Sequence, residues 1–363
     1  MSFFIETNNL NKYLSIYEPG YVYSCGYYSQ NRWVDDKRLV LHKYKQPEGE
    51  DAISVDLVLI DTEEQTEKFL TRIDGIWDLI TADVVVHREN VYFTRNKNTL
   101  CCINVDTLEE KKIYQSDMPI IFSHITADGR YLNWMYQEKN DTFHSTHSCM
   151  RIDLKTLDVI KVIEKGFAYP YMTANHFMIS PTDPDTVFFA HEGISSYVAN
   201  RLWIAEVGKE PYNLAKQRFD ENGDLIDYFG HESWAADGKG LYFIKYISSP
   251  TPPRGIGYVD LETRETKILY SKYKYWHVCA APDGRHLAAD LGPGTFNENK
   301  ICSSGGVCLV DMENGTEEMI LADLKYSQAH PGHQHPQFNP SSTKICFHNV
   351  LDDGSVTVGV VDI

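Results

Sequence analysis

Three histidines fall within six residues in AHPGHQHPQF, as His330, His333 and His335. Neutral imidazole is the commonest metal ligand among side chains. In an extended strand residues two apart share a face, so His333 and His335 can converge on one ion, with His330 approaching from the preceding turn. One repeat earlier, in YKYWHVCAAPDG, His277 occupies the matching place before a turn. Four nitrogen donors of this kind suit Mn, Fe, Ni, Cu or Zn.

The same position recurs as His231 in YFGHESWAADG, His176 in TANHFMISPTD and His124 in IFSHITADG. Five successive repeats thus put a histidine at one height, which predicts a ring of imidazoles around a channel mouth. The segment AHEGISSYVANRLWI adds His191, Glu192 and Arg201. The planar fork of a guanidinium matches a carboxylate, so Arg201 suits an anionic substrate. His124, His176 and His191 are then candidate substrate-binding residues beside it.

The elements that must carry these residues are repeated strands. An apolar run ends in Asp at Asp61, Asp106, Asp153, Asp260, Asp311 and Asp362, with Glu206 filling the one doubled gap, which makes seven units. Turns such as TADGRY, AADGKG and APDGRH precede many of the copies, and Asp-Gly between alternating apolar runs is hairpin chemistry. Each unit reads as a four-stranded antiparallel blade. The expected fold is therefore an all-β, seven-bladed β-propeller forming one domain over residues 1–363. The chain ends on the third strand of its last unit, VTVGVVDI, so an N-terminal strand near NKYLSIY is expected to close that blade.

A net charge of −17 without a basic cluster argues against nucleic acid. An acidic ligand would need local positive charge, which a metal supplies. No run of about 18 apolar residues occurs, so no membrane span is expected. The first residues lack a secretory pattern, and the eight cysteines lack paired spacing; a cytoplasmic protein with reduced thiols is expected. Phosphate-binding glycine loops and the GxSxG elbow are missing, which disfavours nucleotide and serine-hydrolase chemistry.

At NHFMISPTDPDTVFFAHEG, NRLWI, GHESWAADGKGLYFI, WHVCAAPDG and HQHPQFNP the sequence resembles the oligogalacturonate lyases, cytosolic seven-bladed propellers that use a divalent metal, generally manganese. The resemblance covers residues from about 175 to 349. It places the family's metal ligands on His277, His330, His333 and His335, its catalytic arginine on Arg201 and its accompanying active-site histidine on His231. The family has Gln where this chain has His330, and Pro-Trp where Ile194, Ser195 and Ser196 follow His-Glu-Gly.

What such a site can perform follows from its chemistry. A uronic acid whose carboxylate is neutralised by a metal can lose its C5 proton to a base and expel the C4 glycosidic oxygen, leaving an unsaturated product. Hydrolysis instead needs two carboxylates flanking the bond, and no such pair stands out. The resemblance implies Arg201 as base. Free arginine stays protonated, so residue chemistry prefers His231 as proton carrier and Arg201 as anion clamp, both being catalytic. The expected function is cleavage of short pectin-derived uronides. The alternatives are a scaffold propeller with a structural metal site and a lyase for another acidic oligosaccharide.

Overall fold

The computed structural model describes residues 3–6, 12–45, 53–76, 84–292, 294–297 and 300–363, and among them strands, turns and bends make up the secondary structure, with no helix. Seven antiparallel sheets form the blades of a β-propeller. Blades 1 to 6 span residues 21–76, 84–115, 121–168, 173–213, 229–270 and 275–327, each with four strands in sheet order. Blade 7 takes Gln337–Phe338, Lys344–Val350 and Val356–Asp362 from the C-terminal end of the chain.

That last blade is closed as the sequence predicts. Leu14–Tyr17 pairs antiparallel with Val356–Asp362, setting Leu14 opposite Val360, Ser15 opposite Gly359 and Ile16 opposite Val358. Phe3–Glu6 then pairs with Leu14–Tyr17, so this blade has a fifth strand beyond the four expected. Ile16 is fully buried with Val358, Val360, Tyr23 and Trp33, which ties the closing strand to the core.

The hairpins are held by side chains at strand ends. Oδ1 of Asp61 accepts the backbone N–H of Glu63 and Glu64, Asp153 those of Lys155 and Thr156, Asp260 those of Glu262 and Thr263, and Asp311 those of Glu313 and Asn314. In blade 2 the repeat phrase is shifted: Asn104, not Asp106, caps the turn by accepting from Asp106 and Thr107 at 3.0 Å. An amide oxygen replaces the carboxylate there, so the Asp that completes the phrase in sequence lies two residues too late.

By backbone contacts the chain divides into two compact units, residues 1–112 with 279–363, and residues 113–278. The first carries blades 1 and 7 and most of blades 2 and 6; the second carries blades 3, 4 and 5. Both cuts fall inside continuous strands, Glu110–Gln115 and Tyr275–Ala280. The core of each unit is aliphatic and aromatic, for example Val40, Leu57, Val91, Phe93 and Ile103 in the first and Met178, Phe188, Leu202, Ile204 and Phe243 in the second. Among the described residues no helix is long and apolar enough to cross a membrane, and all eight cysteines are free.

Candidate metal centre and active site

His124, His176, His231 and His277 lie on the first strands of their blades, and the pairing is irregular at the first three. In blade 3 the pairing register shifts between Ile121 and His124, in blade 4 between Asn175 and Met178, and in blade 5 between Gly230 and Ser233. His176 and His231 lie inside their shifts with φ of 53° and 51°. A bulge with a left-handed non-glycine residue costs energy and re-aims its side chain, and such bulges cluster beside active sites. Just before His231 the chain needs a glycine, because a Cβ on Gly230 would stand 1.9 Å from the Tyr246 hydroxyl oxygen.

His330, His333 and His335 do come together, by a route other than the expected strand face. Residues 331–336 lie outside any strand, which begins only at Gln337. Pro331 and Pro336 have no N–H for a ladder. The N–H of His335, a residue with φ of 45°, goes instead to Asp290 Oδ2 at 3.1 Å. Ring centroids stand 4.1 Å apart for His330 and His333, 5.1 Å for His330 and His335, and 5.4 Å for His333 and His335.

His277 lies on Tyr275–Ala280, the strand that opens blade 6. His277, His333 and His335 are each buried. His330 stands beside both His333 and His335. Burial first, then the charges of His333 and His348, push the His330 imidazole down to about 3; burial likewise lowers His333. Both rings are therefore neutral near pH 7, with a nitrogen lone pair to offer, as a metal ligand must. The donor set fits a first-row divalent ion. His348 supports it from behind: Nδ1 lies 2.8 Å from the His333 carbonyl oxygen, while Nε2 accepts the Cys25 N–H at 3.0 Å.

A second cluster lies in blades 4 and 5. Arg201, 4% exposed, donates from Nε to Glu232 Oε1 at 2.6 Å and from Nη1 to Glu192 Oε1 at 3.0 Å. His176 Nδ1 donates to the other oxygen of Glu232 at 2.9 Å. Burial alone would lower the Arg201 pKa, but the two carboxylates outweigh it and hold the guanidinium well above its usual range. Burial would raise Glu232, and Arg201 with His176 reverses that and keeps it ionised.

His231 Nδ1 lies 2.6 Å from the Trp276 carbonyl oxygen, with the Tyr246 hydroxyl at 3.1 Å. A carbonyl only accepts, so Nδ1 carries the proton and Nε2 the lone pair. Burial, then the charges of His277, His176 and Arg201, hold His231 well below its ordinary pKa. Its ring centroid is 4.0 Å from that of His277. His191 stacks on Phe167 at 4.0 Å, with Nε2 on the Tyr171 carbonyl and Nδ1 on Asn200 Oδ1, so both its nitrogens are engaged. His124 is buried in the first strand of blade 3, opposite Asn133.

Sequence reasoning missed Glu232, Tyr246 and Asp290. Glu232 stands inside the GHESW phrase, and a carboxylate next to a pre-turn histidine was the available signal. Tyr246 and Asp290 carry no such mark, because their roles depend on strands that meet them only in the fold.

Fold and site together are those of a β-propeller with buried imidazoles of metal-binding type and a buried cluster of paired charges. The sequence model of the oligogalacturonate lyase family matches residues 54–361, and the chain belongs to that family. It is 24% identical over 324 residues to the oligogalacturonide lyase of Pectobacterium atrosepticum, covering 81% of this chain and 80% of that protein. It is 24% identical over 289 residues to the oligogalacturonate lyase of Dickeya dadantii, covering 72% of each. Among solved structures, an oligogalacturonate lyase in complex with manganese matches with a TM-score of 0.76 at 20% identity, over 100% of this chain and 96% of the other, which supports the fold.

Proposed function

We propose that this lyase cleaves short pectin-derived oligogalacturonides by β-elimination, with His277, His333 and His335 holding a divalent ion, manganese foremost, and His330 completing the set. The observation that carries this reading is the gathering of the His330, His333 and His335 imidazoles, with ring centroids 4.1 to 5.4 Å apart, in a member of the oligogalacturonate lyase family. An ion bound there neutralises the uronate carboxylate and so acidifies the C5 proton.

The chain's own residues supply the rest. His231, neutral and with its lone pair on Nε2, takes the C5 proton. The C–H electron pair forms the C4–C5 double bond, and the C4–O bond breaks with its pair going to the departing glycosidic oxygen. Arg201, fixed as a cation by Glu232 and Glu192, holds the anionic sugar and the charge that develops on the leaving oxygen. His124 and His176 extend this surface toward the saccharide, and His191, bonded at both nitrogens, contributes by fixing Asn200 next to Arg201.

The test is incubation of the manganese-supplemented protein with short oligogalacturonides, read by ultraviolet absorbance and product mass. Absorbing products whose masses sum to that of the substrate are expected. Products carrying one added water, or no absorbing product from any uronide, would overturn the reading.

A further inference from the structure

Blades 4 and 5 line a cavity of about 670 Å³ whose charge runs against that of the chain. The protein carries a net −17, yet Lys216, Arg218, Lys245 and Arg264 line this cavity against Asp227 as its one lining carboxylate. Leu214, Phe229 and Ile268 give the cavity an apolar lining beside these charges. A volume within the usual few hundred to a thousand Å³, apolar walls and a few convergent charges are the marks of a small-molecule site.

The charges are arranged, not scattered. Lys245, 1% exposed, pairs through Nζ with Asp227 Oδ1 at 2.7 Å. The same carboxylate accepts from Arg218 Nε at 2.8 Å and Nη2 at 3.0 Å. One anion thus serves two cations, and a buried ammonium is costly to keep unless the charge around it is matched. Lys216 and Arg264 add two exposed cations at the rim, the latter held 4.2 Å over the Tyr212 ring. A cationic concavity in an acidic protein focuses anions toward it.

We propose that this cavity binds an acidic saccharide, its carboxylate or phosphate taken by Lys216, Arg218 and Arg264 and a sugar face laid on Leu214, Phe229 and Ile268. The choice of a saccharide rests on the lyase reading, whereas anion binding in this cavity does not. The cavity is nonetheless wired to Arg201 by Gln217, which is 5% exposed. Gln217 Oε1 accepts the Arg201 N–H at 3.0 Å, while its Nε2 donates to the carbonyls of Val198 and Asp227 at 3.1 and 2.7 Å. Occupancy beside Asp227 therefore reaches the backbone that carries Arg201.

Calorimetric titration with galacturonate, galactose 6-phosphate and galactose tests this, comparing the parent with the double variant K216E/R264E. That variant leaves Arg218 and Lys245 on Asp227, so its fold and melting temperature should match the parent's. At least one acid ligand should bind the parent, more weakly as salt rises, and lose at least about tenfold in affinity in the variant, about 1.4 kcal/mol. Galactose should give no heat. Whichever acid binds more tightly identifies the carboxylate or the phosphate as the natural group. Equal binding by parent and folded variant, no binding of either acid, or equal binding of galactose would overturn the proposal.

Discussion

Arg201 Nε lies 2.6 Å from Glu232 Oε1, with the two side chains 4% and 0% exposed. A pair so far from water is costly to break, because the survivor is left as an uncompensated buried charge. Glu232 also accepts a hydrogen bond from His176 Nδ1, so one carboxylate orients two residues of the proposed saccharide surface.

Glu232→Gln should therefore destabilise the protein by about 3–5 kcal/mol, the usual consequence of removing one partner of a buried pair. Denaturant titration reads the stability. If the variant folds, its turnover should fall while its manganese content holds; unchanged stability and turnover would show that Glu232 positions nothing.

Arg201→Lys keeps a cation but loses the planar fork, and His231→Ala removes the proposed base. Each should bind manganese as the parent does and lose at least about a hundredfold in turnover, the lower end of general acid–base contributions. Metal analysis beside steady-state kinetics checks both. Near-normal turnover in both variants would leave only the metal site standing.

His333→Ala and His335→Ala should each lose bound metal and turnover with the fold retained, since each removes one imidazole of the His330–His333–His335 gathering from a β-structure with many other contacts. Chelation of the parent should give the same loss, reversed by manganese. Circular dichroism and metal analysis settle it, and an unchanged metal content in either variant contradicts the assignment.

His147 supplies a pH test away from the metal centre. It is 2% exposed, and burial, then the His191 charge, push its imidazole from 6.5 down to about 4. The unfolded chain thus binds more protons between about pH 4 and 6.5, so this contribution is fully present above pH 6.5 and is lost as pH falls toward 4. His147→Gln should flatten the fall in stability over that window by up to about 3 kcal/mol. Melting curves across the pH series compare the two proteins, and parallel curves would refute the link.

The seven repeats, the hairpin turns, the closing N-terminal strand and the run of three histidines were legible because each is written in local residue types. An Asp at a strand end, an Asp-Gly turn or three histidines in six residues needs no distant partner to be recognised. Even so, the residue that caps the blade 2 turn is Asn104, two places before the Asp106 that marks the repeat, since a carboxylate and an amide oxygen serve a turn equally well.

What the tertiary structure decided is where those side chains point and what charge they hold. His333 and His335 converge in an irregular segment beside Asp290, and His176 and His231 are turned by register shifts that only the neighbouring strand imposes. The charge of Arg201 and the neutrality of His231 depend on Glu232, His277 and burial, groups that come within reach only when separate blades pack. Sequence spacing sets which residues share a strand; the dihedral angles at a bulge and the electrostatics of a buried cluster depend on the partners that folding brings beside them.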